Sequence, residues 1–479
     1  MTEASSHSPV ADTSSGPVRG RSVTTSTGST VSAFLGIPYA APPVGPLAFA
    51  APHPPEPWTA VRDVTEYGPA APQVGYPEPV ASILENVVAP GDDYLNVNVW
   101  TPDPDGEDLP VLVWIHGGAF TRGANRIGIY SGDTFARDGL VFVGVNYRLG
   151  APGFASLDGA PENRGLLDQI AALEWVRDNI AAFGGDPSHV TVMGESAGAM
   201  SVASLLSSPR AAGLFGRAIM ASGNGVSVAA IDDARKVTTR TSEILGVEPT
   251  AQAWAEVSTD ALLAAQTEVA LAHSLKPDPA VWGESVVRAG LGVMSFLPVI
   301  DGDVLPAVPV DSIAEGAGAG VALLAGWNAD EFHFFLAPTG VVAAVDAPTA
   351  RSVLARSGAS SERFDESLAR GVKAGDALCA ELTRNGFSAP TQAIADARAD
   401  DQTFLYEFGR HSPVMGIRAG HAVEIPYVFD HLDDAHSLVG PTPDHDLATR
   451  MHAAWTSFAM AGDPGWDVYR VGEAPRLFA

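Results

Sequence analysis

The chain is predicted to be an α/β protein, with a large, mostly parallel sheet covered by helices on both faces. Three observations carry this. Apolar, β-branched runs alternate with helical patterns through the interior. The runs are continuous rather than alternating, as in strands buried on both sides. Two glycine-bearing motifs fall directly at the ends of such runs.

In chain order the strand runs are Val111 to Ile115 (VLVWI), Leu140 to Tyr147 (LVFVGVNY), Val190 to Met193 (VTVM), Ala218 to Ala221, Val321 to Gly326 and Thr403 to Phe408. From Gly165 to Phe183, Leu166, Ile170, Leu173, Val176 and Ile180 recur at helical spacing. A second helix is expected from Ala197 to Leu206. The segment 228–295 reads as helical insertions above the sheet, and 345–400 reads as helical. No repeat or long linker divides the chain, so residues 17–479 are expected to form one domain. The opening residues 1–16 are expected to be a disordered, solvated tail. They show neither a basic start nor an apolar run, so they do not read as a secretory signal peptide.

Composition narrows the function. Net charge is −28, with 28 basic against 56 acidic residues, which argues against nucleic acid and anionic membranes as partners. No run of about 20 apolar residues is present to span a bilayer. The single cysteine, Cys379, permits neither an internal disulfide nor a cysteine-based zinc site, and reads as packing rather than as a nucleophile. The expected setting is cytoplasmic and the expected state monomeric.

Gly194-Glu195-Ser196-Ala197-Gly198 fits G-x-S-x-G. By chance about 0.3 such matches are expected in a chain of this length and composition, so the five letters alone say little. Their context says more: strand before, helix after. A sharp turn there pushes a serine oxygen out at the carboxyl edge of the sheet, with a helix N-terminus behind it to favour negative charge.

His116-Gly117-Gly118-Ala119-Phe120 follows directly on VLVWI. Acyl transfer places negative charge on a carbonyl oxygen, and small residues let backbone N–H groups approach it closely. Each such donor is worth about 3–4 kcal/mol. Gly118, Ala119 and Ala197 are the candidate donors, with Gly117 beside them.

A serine also needs a base. His421 lies in a glycine-flanked loop after the run 403–408, while His333, His411 and His431 are alternatives. For the acid, Glu331 and Asp330 both follow the run 321–326, and local reasoning does not separate them. Aromatic residues near the motifs, Phe120, Phe332, Phe334 and Phe335, either shape an apolar pocket or pack in the core.

FLGIPYAAPPVGPLAF at 34–49, NYRLGAPGF at 146–154, NRGLLDQIAALEWVRDNIAAFGGDP at 163–187 and TVMGESAGAMS at 191–201 follow one another in order. FLPVIDG at 296–302, HAVEIPYVF at 421–429 and WTSFAMAGDP at 455–464 complete the series. With these segments the chain resembles the type-B carboxylesterases, a family that includes bacterial p-nitrobenzyl esterases, animal carboxylesterases and cholinesterases. The resemblance runs from about Gly16 to Tyr469. It implies an α/β-hydrolase fold, hydrolysis of small-molecule esters without metal or cofactor, and a triad of Ser196, Glu331 and His421. Glu331 is favoured over Asp330 because the family acid is the Glu of D-E-G, and His421 because the family base is the His of H-G-x-E. Glu195 and Ser222 match accessory positions.

The same chemistry on carbamates, amides or polyesters is left open. A non-catalytic binding protein on this fold is disfavoured, because every triad position is filled. The chain also departs from the family. Ala71 and Tyr94 stand where a disulfide often closes a loop. Ala48 replaces an arginine whose acidic partner region is Asp92-Asp93, which implies a lost ion pair. Phe332 and Ala422 replace the glycines of D-E-G and H-G-x-E.

Overall fold

The computed structural model describes residues 8–398 and 401–479. A ten-stranded sheet runs through the molecule. Its strands are β1 (Arg21–Thr24), β2 (Thr30–Pro38), β3 (Asn96–Thr101), β4 (Leu109–Ile115), β5 (Val141–Val145), β6 (Gly185–Glu195), β7 (Arg217–Ala221), β8 (Ala322–Asn328), β9 (Thr403–Phe408) and β10 (Arg476–Phe478). The order across the sheet is β10-β9-β8-β7-β6-β4-β5-β3-β2-β1. From β10 to β5 every pairing is parallel; β5-β3, β3-β2 and β2-β1 are antiparallel.

All six expected runs fall on strands; β5 is shorter than its run 140–147, and β6 is longer than its run 190–193 by seven residues. The parallel strands are legible because they bury both faces. Along β4, Val111, Val113 and Ile115 join one core, while Leu112 and Trp114 join the other. Fully burying one such side chain is worth about 1.5–3 kcal/mol, so this alternation drives both layers at once.

The main helices are α1 (Arg164–Asn179), α2 (Ala197–Ser207), α3 (Glu331–Leu336), α4 (Ala374–Thr383) and α5 (His445–Ala461). Leu166 and Leu173 of α1 and Val202 and Leu205 of α2 cover the Val111 face; Leu447, Met451, Trp455 and Phe458 of α5 cover the Trp114 face. The segment 228–295 contains the helices Ile231–Leu245 and Thr259–Leu275, as its pattern predicts.

One expectation fails. The solvated tail does not extend to Gly16: Val10–Thr13 is a strand paired antiparallel with Gly16–Arg19. Buried Ala11 and Val18 anchor that hairpin, which short polar flanking residues conceal in the sequence. Among the described residues, no helix is long and apolar enough to cross a membrane.

Candidate active site

Crowding dictates the turn at Ser196. Its backbone sits at φ 55° and ψ −124° between β6 and α2, a conformation that costs a non-glycine residue energy. Its N–H is held by Ala221 O at 3.0 Å. A Cβ at Gly198 would lie 2.0 Å from Ile115 O, and one at Gly194 would lie 2.3 Å from the carbonyl carbon of Gly198. Only glycine fits either place, which is the physical content of the pentapeptide.

The loop after β4 wraps against this turn. A Cβ on Gly117 would fall 2.5 Å from Glu195 Oε2 and 3.0 Å from Ser196 Cβ. Gly118, Ala119 and Phe120 all have positive φ, at 112°, 55° and 57°. The loop is fixed by Thr121 and Arg122, whose N–H groups donate to Gly118 O at 3.0 and 2.9 Å. Below it, His116 is buried, stacks on Tyr147 at 4.7 Å and donates from Nδ1 to Gly117 O at 2.8 Å. Burial pushes its pKa down to about 4, so it is neutral.

His421 meets both motifs. Its Nε2 lies 2.7 Å from Ser196 Oγ, and its Nδ1 lies 2.6 Å from Glu331 Oε2. With a neutral imidazole, Nδ1–H donates to Glu331 and Nε2 accepts from the serine hydroxyl. Glu331 is fully buried at the start of α3, and its Oε1 accepts from the Asn328 N–H at 2.8 Å. Asp330 faces the other way, pairing with His411 at 3.2 Å and Arg418 at 3.7 Å. The alternative histidines lie elsewhere. His333 sits between Asp330 and Asp376, His411 is exposed, and His431 pairs with Asp133.

A buried carboxylate network surrounds the imidazole. Glu195 Oε1 lies 3.3 Å from His421 Nε2. Glu424 accepts from Ser222 Oγ at 3.0 Å and from the Asn328 side-chain amide. Burial pushes Glu195 up to about 8 and Glu424 up to about 7. For His421, burial works to lower the pKa, but Glu195, Glu331 and Glu424 outweigh it and raise it to about 9. Glu424 and Asn328 escaped sequence reasoning. Glu424 carried a signal: a lone carboxylate in the apolar run AVEIPYVF, three residues after His421.

Above Ser196 opens a cavity. Gly118, Ala119, Glu195, Ser196 and His421 form its floor. Tyr76, Leu84, Ile129 and Tyr130 line it, as do Leu291, Met294, Phe332 and Phe387. Burial pushes the Tyr76 hydroxyl up to about 12 and that of Tyr130 further, so both stay protonated. Phe332, Phe334 and Phe335 line the cavity. Phe120 does not: it is fully buried and packs edge-on against Phe154 at 4.9 Å, because the turn at 118–120 swings its ring down into the core. Neither the tyrosine wall nor Leu291, Met294 and Phe387 had a local sequence signal.

The loop without a disulfide is tied by hydrogen bonds instead. Gln73 exchanges two with Gly123, at 2.8 and 2.9 Å, and Glu85 accepts from the Gly128 N–H at 2.9 Å. Where the family pair is missing, Asp93 pairs with Arg62 at 2.8 Å. Cys379 is buried and its thiol pushed up to about 12, consistent with a packing role.

Serine, imidazole and carboxylate aligned at the carboxyl edge of a parallel sheet define an α/β-hydrolase. The chain belongs to the carboxylesterase family, whose model matches residues 7–470, and is a carboxylic ester hydrolase. It is 36% identical to the para-nitrobenzyl esterase of Bacillus subtilis, with 91% of this chain and 88% of that protein covered. It is 34% identical to the phenmedipham hydrolase of Pseudarthrobacter oxydans, covering 91% and 87%. A solved carboxylesterase of Geobacillus stearothermophilus superposes with a TM-score of 0.82 at 34% identity, over 98% of this chain and 96% of that one.

Proposed function

We propose that the chain hydrolyses esters through an acyl-enzyme on Ser196. Ser196 Oγ attacks the acyl carbon as its proton passes to His421 Nε2. The N–H groups of Gly118, Ala119 and Ala197 receive the oxyanion. Glu331 holds the Nδ1–H tautomer and stabilises the imidazolium. The imidazolium then gives its proton to the departing alkoxide, and water attacks the acyl-enzyme with His421 again as base.

The observation that carries this reading is the unbroken line from Ser196 Oγ through His421 to Glu331, at 2.7 and 2.6 Å. The aromatic and aliphatic walls suit a neutral, largely apolar ester. Ser196→Ala is expected to lower kcat by about 10⁶ on a p-nitrophenyl ester. Turnover within tenfold of the parent would refute the assignment.

A further inference from the structure

The lining of the cavity is not uniform in chemistry. The wall of Tyr76 and Tyr130 carries hydroxyls and borders Glu195. Leu291, Met294, Phe332 and Phe387 give the lining around them a surface of carbon and sulfur only. Within it, Phe332 immediately follows Glu331 in the chain and its position is pinned. Its N–H donates to Thr383 Oγ1 at 3.1 Å, at the C-terminus of α4. There the backbone passes into one turn of π-helix, Arg384–Ser388, a local irregularity common at functional sites. That turn lays Gly386 and Phe387 against Phe332. A Cβ on Gly386 would come within 3.4 Å of the Phe332 ring and 3.2 Å of Leu291. Phe335 and Phe387 flank the Phe332 ring at centroid distances of 5.4 and 6.0 Å.

The ring therefore has little room to withdraw from the cavity. The wall is also close to the reacting atoms, since Phe335 and Phe387 each lie 5.1 Å from the His421 ring. A limit placed here acts within the first few atoms of an ester arm.

We infer that Phe332 is a specificity-determining residue: it sets the size limit of the ester arm lodged against Leu291, Met294 and Phe387, so that this lobe takes a short, unbranched apolar group. This rests on the esterase reading above. One arm of the ester meets the limit and the other does not, because the acyl and alcohol arms leave the carbonyl carbon held at Ser196 in different directions.

The test uses two ester series on the full-length protein. One lengthens and branches the acyl group with the alcohol fixed; the other does the reverse. Phe332→Ala is expected to raise kcat/KM for branched members of one series by about tenfold relative to its shortest member, in line with what one methylene is worth in an apolar pocket. The other series is expected to keep its profile. An unchanged ratio in both series, or an equal gain in both, would overturn the inference. If Phe332→Ala does not fold, as judged by far-UV circular dichroism, Phe332→Leu decides: a shift of about threefold in one series supports the limit and an unchanged profile refutes it. Hydrolysis of the shortest esters by the parent, and its loss in Ser196→Ala, tests the esterase reading separately.

Discussion

The floor and the walls of the cavity are built on different principles. On the floor, backbone crowding leaves almost no freedom. Gly198 packs on Ile115 O, Gly117 on Glu195 and Ser196, and the positive φ at Ser196 is held from both sides. The walls are assembled from side chains of separate segments, at 76–84, 129–130, 291–294, 332–335 and 387, with no backbone rule dictating what they are. Chemistry is fixed where backbone must touch backbone, and selectivity is free to vary where only side chains meet.

That contrast can be broken most sharply at the acid. Glu331→Gln is expected to lower kcat by about 10⁴, because the amide cannot hold the productive tautomer or stabilise the imidazolium. Asp330→Asn is expected to cost less than about tenfold, since Asp330 faces His411 and Arg418 rather than His421. Steady-state kinetics on one ester compares them. The opposite ranking would place the acid on the wrong carboxylate.

A smaller effect is expected at Glu195, which belongs to the floor but stands outside the hydrogen-bonded line. Its carboxylate faces His421 Nε2 and helps raise the imidazole pKa. The base must be neutral to accept a proton, so activity falls as pH drops through that pKa. Glu195→Gln removes one negative charge, lowers the His421 pKa and moves the acid limb of the kcat/KM profile to lower pH, by about one unit. An unmoved limb, or one moved upward, would mean that Glu195 does not act on His421 electrostatically.

The smallest effect sharpens the other side of the comparison. Ala422 lines the cavity at φ 66°, in the left-handed region that glycine adopts more cheaply. Ala422→Gly is expected to stabilise the fold by about 0.5–1 kcal/mol after glycine's entropic cost, with kcat changed by less than about threefold. A loss of stability in urea unfolding would show that the methyl group contributes packing worth more than the strain.

The same contrast explains what the sequence disclosed. The parallel strands were legible because burial on both faces leaves unbroken apolar runs such as VLVWI and VTVM. The antiparallel wing and the far parallel edge strand β10 were not. Asn96–Thr101 interleaves Asn with Val although it is wholly buried, because Asn96 and Asn98 serve loop backbone groups at Pro69, Asp93 and Asn125. Thr30–Pro38 is interrupted by Gly36 and an irregular register, and Arg476–Phe478 is too short to carry a pattern. At the site, the serine and the glycine-rich loop were legible from local backbone demands. His421 and Glu331 required the family pattern, since other His and Asp residues offered equal local claims. Of the walls only the aromatic run at 332–335 carried a signal; Tyr76, Tyr130, Leu291, Met294 and Phe387 come from segments far apart in sequence that meet only in the folded chain, and Phe120 packs in the core because of the local turn at 118–120.

The most direct test of the account is covalent. A p-nitrophenyl phosphonate incubated with the full-length protein should release one equivalent of p-nitrophenol per chain and abolish esterase activity. Peptide mass mapping should then place the phosphonyl group on Ser196, and Ser196→Ala should take up none. A full equivalent bound at another residue, or unchanged labelling of Ser196→Ala, would contradict the claim that Ser196 is the nucleophile.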